Sequence, residues 1–181
     1  MPKFQHIDDG FREFIESQKV FFVATAAPEG RVNVAAKGMD TLRVVQPNRI
    51  VWLNLTGSEN ETAAHLVESP RMTDVVLVRD QNLGFASVRK RKVFHPRAKE
   101  WQDLIALFPP LPGARQILDL DVDLVMTSCG FGVPLFDYVG QRETLQRWGE
   151  KKGPEGVHEF WEKRNQLSID DRPTRIFSDP K

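Results

Sequence analysis

Between Val20 and Met126 the chain repeats one pattern: short apolar, β-branched runs cut by turn residues. "VFFVATAA" (Val20 to Ala27) ends at Pro28-Glu29-Gly30, and "IVWLNL" (Ile50 to Leu55) follows Gln46-Pro47-Asn48-Arg49. Two further runs, Arg31 to Ala36 and Thr41 to Val45, flank Lys37-Gly38-Met39-Asp40. Runs this short and this regularly punctuated read as strands. Met72 to Val78 and Leu83 to Phe94 form another pair around Asp80-Gln81-Asn82. "ILDLDVDLVM" (Ile117 to Met126) alternates apolar and acidic residues, the signature of a strand with one wet face.

Helices are inserted among these strands. Asp8 or Asp9 can cap a short helix with Phe11, Phe14 and Ile15 on one face. A second runs from about Glu59 to Val67 and stops before Ser69-Pro70. A third carries Trp101, Leu104, Ile105 and Leu107 and breaks at Pro109-Pro110-Leu111-Pro112-Gly113. Two amphipathic helices, near Arg142 to Lys151 and Pro154 to Gln166, close the chain. The expected fold is mainly β with helical additions (α+β), a β-barrel in a single domain over residues 1–181.

Composition narrows the function classes. Lys plus Arg and Asp plus Glu each total 25, so net charge points to neither nucleic acid nor a membrane surface. The N-terminal residues lack a long apolar run, and no segment reaches membrane-spanning length. Cys129 is the only cysteine, which excludes an internal disulfide and fits the reducing cytoplasm. The triplets Asn54-Leu55-Thr56 and Asn60-Glu61-Thr62 therefore lose their meaning as glycan acceptors.

The chemistry-bearing residues are scattered. His6, His65, His95 and His158 show no metal-ligand spacing and read as surface or capping residues. Cys129 lacks a placeable base and reads as an inert, partly buried thiol. Asp119, Asp121 and Asp123 share one solvated strand face, and Arg89-Lys90-Arg91-Lys92 reads as a solvated strand edge. The corner "LNLTGSENETAAHL" (Leu53 to Leu66) is different, because a helix start there leaves backbone N–H groups free for an anion. Ser58, Asn60 and Thr62 add short polar groups, and Lys37 can bring a full charge to the same end of a small barrel. A plain capping box, Ser58 to Glu61, explains the same residues equally well.

Several stretches, in order from about Val20 to Gly153, resemble the pyridoxamine 5′-phosphate oxidase-like family. They are "VNVAAKGMDTLRVV", "RIVWLNLTGSENETAAHLVESPRMT", "KVFHPRAKEW", "SCGFGVPLFDY" and "VGQRETLQRWGEKKG". The resemblance implies an FMN-binding split β-barrel that forms a homodimer, with FMN in a groove between subunits. It assigns Lys37 and the Ser58, Asn60 and Thr62 corner to the flavin phosphate, and Asn54 and Leu55 to the isoalloxazine ring. More loosely, it brings the Cys129 loop and Gln141-Arg142 to the flavin from the partner subunit. Trp148 and Trp161 read as packing residues of the closing helices.

Three places depart from that pattern. Glu61-Thr62 stands where pyridoxamine phosphate oxidases carry Arg-Lys, and their C-terminal substrate-binding Arg and His are not recognisable after Trp148. The first leaves the phosphate charge less fully neutralised, and the second argues against vitamin B6 oxidation. The segment of residues 74–91 also differs from the family's apolar strand pair, through divergence or a local reading-frame error. The implied activity is transfer of hydride or electrons through FMN to an unidentified small molecule, with no separable catalytic residue. The rivals are a flavin-binding or flavin-sensing protein without turnover, and a split-barrel enzyme using a deazaflavin or heme-related ligand.

Overall fold

A computed structural model describes residues 2–76, 82–129 and 131–178. Eight strands form one antiparallel sheet: β1 (Lys3–Phe4), β2 (Phe21–Ala26), β3 (Val32–Lys37), β4 (Leu42–Gln46), β5 (Arg49–Leu55), β6 (Met72–Val76), β7 (Asn82–Phe94) and β8 (Ala114–Cys129). Their order is β3-β2-β6-β7-β8-β5-β4, with β1 added on β8. The sheet curls into a half-barrel, with β3 and β4 at its two ends.

The helices are α1 (Asp9–Ser17), α2 (Glu61–Glu68), α3 (Trp101–Ile105) and α4 (Thr144–Arg164). Asp8 caps α1 by accepting from the Phe11 backbone N–H at 2.8 Å. α4 is two helices in one, parted at Gly153, whose φ of 67° is cheap only for glycine. The two amphipathic segments expected from the sequence therefore meet at that residue. Among the described residues no helix is long and apolar enough to cross a membrane.

Strand alternation divides the core between the two sheet faces. On β5, Ile50 and Trp52 pack with Leu118, Leu120 and Val122 of β8, while Val51 and Leu53 pack with Ile117 on the other side. The first cluster gathers Phe21, Val23, Leu42, Val44 and Ile15 of α1, and α3 covers the second with Trp101 and Leu104. β5 and the start of β8 are thus buried on both faces, which is why "IVWLNL" reads as an unbroken apolar run. Trp52 is the largest fully buried side chain, and burial of this kind contributes about 1.5–3 kcal/mol.

Several expectations need correction. β8 is longer than Ile117 to Met126, running from Ala114 to Cys129, and its Asp119 makes a two-pronged ion pair with Arg49 at 2.8 and 2.9 Å. The basic run pairs with β8 on one side only, because the β6 register ends at Val88, and Lys90 and Lys92 are exposed there. Within it, Arg91 donates to the Leu66 carbonyl and so caps the last turn of α2. His65 and His95 are buried rather than superficial, at 1% and 5% exposure. Cys129 is exposed rather than partly buried. The Asp80-Gln81 part of the expected turn, and Gly130 of the glycine-rich loop, lie outside the described residues, as does part of the divergent segment 74–91.

Candidate anion and cofactor site

Lys37 ends β3, and the chain turns immediately through Gly38, Met39 and Asp40. Met39 and Asp40 both hold left-handed backbone, with φ of 62° and 57°. The Thr41 hydroxyl, donating to the Gly38 carbonyl at 2.7 Å, closes this turn. The Lys37 side chain folds inward, with its ammonium 5.3 Å from the centroid of the Trp52 ring. Burial, aided by the charge of Arg115, pushes the Lys37 ammonium down to about 8.

Arg115, at the start of β8, is the second cation and was not singled out from the sequence. Only 2% of it is exposed. Its Nη1 donates to the Glu59 carbonyl at 3.0 Å and to Asn165 Oδ1 at 2.7 Å, whereas its buried Nε finds no acceptor. Burial lowers its pKa to about 9, which still leaves the guanidinium charged at neutral pH. Among the described residues neither Lys37 nor Arg115 forms an ion pair with a carboxylate. Two desolvated, unneutralised cations at one end of a barrel are costly to a folded chain without an anion beside them.

The corner between β5 and α2 lies beside Arg115. Asn60, not Ser58, is the N-cap residue of α2, and its side chain makes no capping bond. The expected Ser58–Glu61 capping box does not form, because Glu61 Oε1 accepts instead from the Ile169 backbone N–H at 2.7 Å. Asn60 spends its amide on the interior, donating to Gln116 Oε1 at 2.9 Å and accepting from Asn54 Nδ2 at 3.3 Å. Thr62 is buried and accepts from Asn33 Nδ2 at 3.2 Å; the same amide reaches Thr25, which bonds His65 Nδ1 at 3.1 Å. Ser58 is exposed, and Leu55 is half-buried in the apolar cluster under α3.

The structure thus joins Asn54 and Asn60 in one interior network with Gln116, sets Thr62 in another with Asn33, and places Lys37 within the field of Arg115. Gln141 also comes close: a Cβ built on Gly38 would lie 3.9 Å from Gln141 Oε1 of the same chain. Arg142 is exposed. The C-terminal segment closes the corner from behind, with Asn165 Nδ2 donating to the Gly57 and Ser58 carbonyls at 3.2 and 3.4 Å. Trp161 packs as expected, and its Nε1 also donates to Thr56 Oγ1 at 2.8 Å.

The sequence offered one usable signal for Arg115. It is a lone charge on a strand start whose next three residues, Gln116, Ile117 and Leu118, are all buried. Asn165 carried none, since a polar residue at the end of an amphipathic helix is unremarkable.

No family model matches the chain. It is 34% identical over 156 residues to the pyridoxamine 5′-phosphate oxidase family protein ustO of Aspergillus flavus, a match covering 80% of this chain and 61% of that protein. The chain thus spans about three fifths of that relative's length. Its fold matches a tagged Group A Streptococcus HupZ, with a TM-score of 0.53 at 12% identity over 67% of this chain and 93% of the other. It also matches a putative pyridoxamine 5′-phosphate oxidase from Lactobacillus delbrueckii, with a TM-score of 0.53 at 15% identity over 68% and 99%. The curled antiparallel half-barrel is the split-barrel fold of these neighbours, and the 34% identity makes the chain similar to the pyridoxamine 5′-phosphate oxidase family protein ustO.

Proposed function

We propose that this protein binds FMN with the flavin phosphate at the β5–α2 corner and acts as an oxidoreductase on a small molecule. One observation carries the reading: half-buried Lys37 and fully buried Arg115 are cations with no carboxylate partner among the described residues, next to a helix start whose N-cap side chain makes no capping bond. A phosphate group supplies the missing negative charge, so the residues present fit the cofactor that the family resemblance implies. Lys37 contributes a charge-assisted hydrogen bond, and the corner contributes backbone N–H groups. The Asn60 and Thr62 side chains, already engaged inside the protein, shape the corner, while exposed Ser58 is free to reach a phosphate oxygen. Asn54 and Leu55, at the end of β5, would lie along the ring. When bound, the isoalloxazine supplies electron transfer; the protein supplies binding, orientation and electrostatics.

Glu61 does not count against this reading. Its carboxylate is occupied by the Ile169 backbone N–H and lies 3.9 Å from His65 Nε2, so it is turned towards α2 and the C-terminal segment.

The active unit in this proposal is a cytoplasmic homodimer with FMN at the subunit interface. The arm of residues 131–143 supports it, for Phe131, Leu135, Phe136 and Val139 are 81%, 80%, 82% and 98% exposed. An apolar strip of that kind marks a protein contact surface, and it leads directly to Gln141 and Arg142.

The test is the absorption spectrum of the purified protein after FMN addition, followed by anaerobic reduction with NADH or NADPH and reoxidation. A bound flavin that is reduced and reoxidised supports the oxidoreductase. A bound flavin that neither donor reduces leaves a binding or sensing protein, and absence of a flavin band removes the reading.

A further inference from the structure

The loop of residues 57–60 is held in an unusual way. Its three successive carbonyls, of Gly57, Ser58 and Glu59, all accept from the same side: the first two from Asn165 Nδ2 and the third from Arg115 Nη1. Asn165 and Arg115 are themselves joined by a 2.7 Å bond, so they act as one backing plate. Asn165 is fully buried, and its backbone carbonyl accepts from Thr174 Oγ1 at 2.6 Å, which anchors the plate in the C-terminal segment.

A trans peptide sets the N–H of one residue opposite the C=O of the residue before it, and no peptide bond among the described residues is cis. Tying the carbonyls of Gly57, Ser58 and Glu59 backwards therefore turns the N–H groups of Ser58, Glu59 and Asn60 forwards. Among the described residues those three N–H groups have no backbone or side-chain acceptor. They run directly into the first turn of α2, where three more N–H groups lack intrahelical partners. Successive N–H groups facing one way form a concave anion nest.

We infer that Arg115 and Asn165 are positioning residues that hold residues 58–60 as a backbone nest for the phosphate group of the flavin. Neither side chain need touch the phosphate: Arg115, the bulged residue between Ala114 and Gln116, spends its Nη1 on the Glu59 carbonyl and Asn165 Oδ1. The unsatisfied Arg115 Nε adds fixed positive charge behind the nest. The role deepens the FMN reading above and rests on it. It also gives the closing helix a function, because the end of α4 sets the shape of a loop about a hundred residues earlier in the chain.

The experiment compares FMN with riboflavin, which differs only in lacking the phosphate. Both are titrated into the full-length protein and followed by flavin fluorescence, for the native protein, Asn165→Ala and Asn165→Asp. Asn165→Ala removes both carbonyl ties without adding charge. Asn165→Asp also removes them, yet its carboxylate pairs with Arg115 and so keeps the fold, checked by thermal melting. The native protein is expected to prefer FMN, and both variants to lose that preference roughly tenfold while riboflavin affinity stays within about twofold. Retained preference in either variant overturns the inference, as does an equal loss of both ligands. A native protein that binds FMN and riboflavin alike, or neither, removes the FMN reading as well, so the two failures are distinguishable.

Discussion

The ammonium of Lys37 sits 5.3 Å from the centroid of the buried Trp52 ring, with a second cation, Arg115, acting on it and no carboxylate paired with it among the described residues. The aromatic face offsets only part of the cost of desolvating an ammonium; cation–π contacts are worth about 0.5–2 kcal/mol. Lys37 therefore weakens the ligand-free fold and is repaid only when an anion arrives. Strain of this kind at a binding site is the usual trade of stability for function.

Replacing that cation separates the two effects. Lys37→Met is expected to weaken FMN binding by about 1–3 kcal/mol while stabilising the ligand-free protein by about 1–2 kcal/mol at pH 7. Because burial depresses the Lys37 pKa in the folded state, its cost is fully present below about pH 8. The cost fades as pH rises towards the unfolded value of about 10.4, where both states are neutral. Urea unfolding of the two proteins from pH 7 to 10 should show the stability gap closing across that window.

Binding should carry the complementary pH signature. Phosphate favours the charged ammonium, so FMN affinity should fall as pH rises through about 8. It should also fall below about 6, where the phosphate monoester takes up its second proton. Calorimetric titrations near pH 8 in buffers of different ionisation enthalpy should report net proton uptake on binding. Lys37→Met should abolish that uptake.

Much of the architecture was legible in the sequence because the strands carry their own punctuation. Pro28-Glu29-Gly30 ends β2, and the helix pair parts where Gly153 precedes Pro154. What could not be read is where side chains spend their hydrogen bonds. The Ser58-to-Glu61 spacing promised a capping box, but Glu61 serves Ile169, a residue 108 positions away. His65 looked superficial because its burial comes from packing α2 on β2, where Thr25 meets its ring. Lys37 stood out beside its glycine turn, whereas Arg115 was hidden in a strand start. Its importance comes from Glu59 and Asn165, which sit 56 and 50 residues away.

The bond from Trp161 Nε1 to Thr56 Oγ1 ties α4 to the residue that opens the corner. Trp161→Phe keeps most of the apolar contact and removes this donor, so it should cost about 1 kcal/mol in chemical unfolding. The larger Trp161→Ala change should cost about 3–5 kcal/mol.

The exposed arm gives a prediction on assembly. Leu135→Glu combined with Phe136→Glu places two charges on a strip that a second copy would cover. The native protein should sediment as a dimer and the double variant as a monomer. FMN affinity should fall in parallel if Gln141 and Arg142, further along the same arm, contribute to the site.

The most direct measurement is a fluorescence titration of FMN and riboflavin into the ligand-free native protein at pH 7, where Lys37 is charged. The account predicts saturable FMN binding at least tenfold tighter than riboflavin, since each charge-assisted bond to the phosphate is worth about 1.5–3 kcal/mol. Equal affinities, or no quenching with FMN, would contradict it.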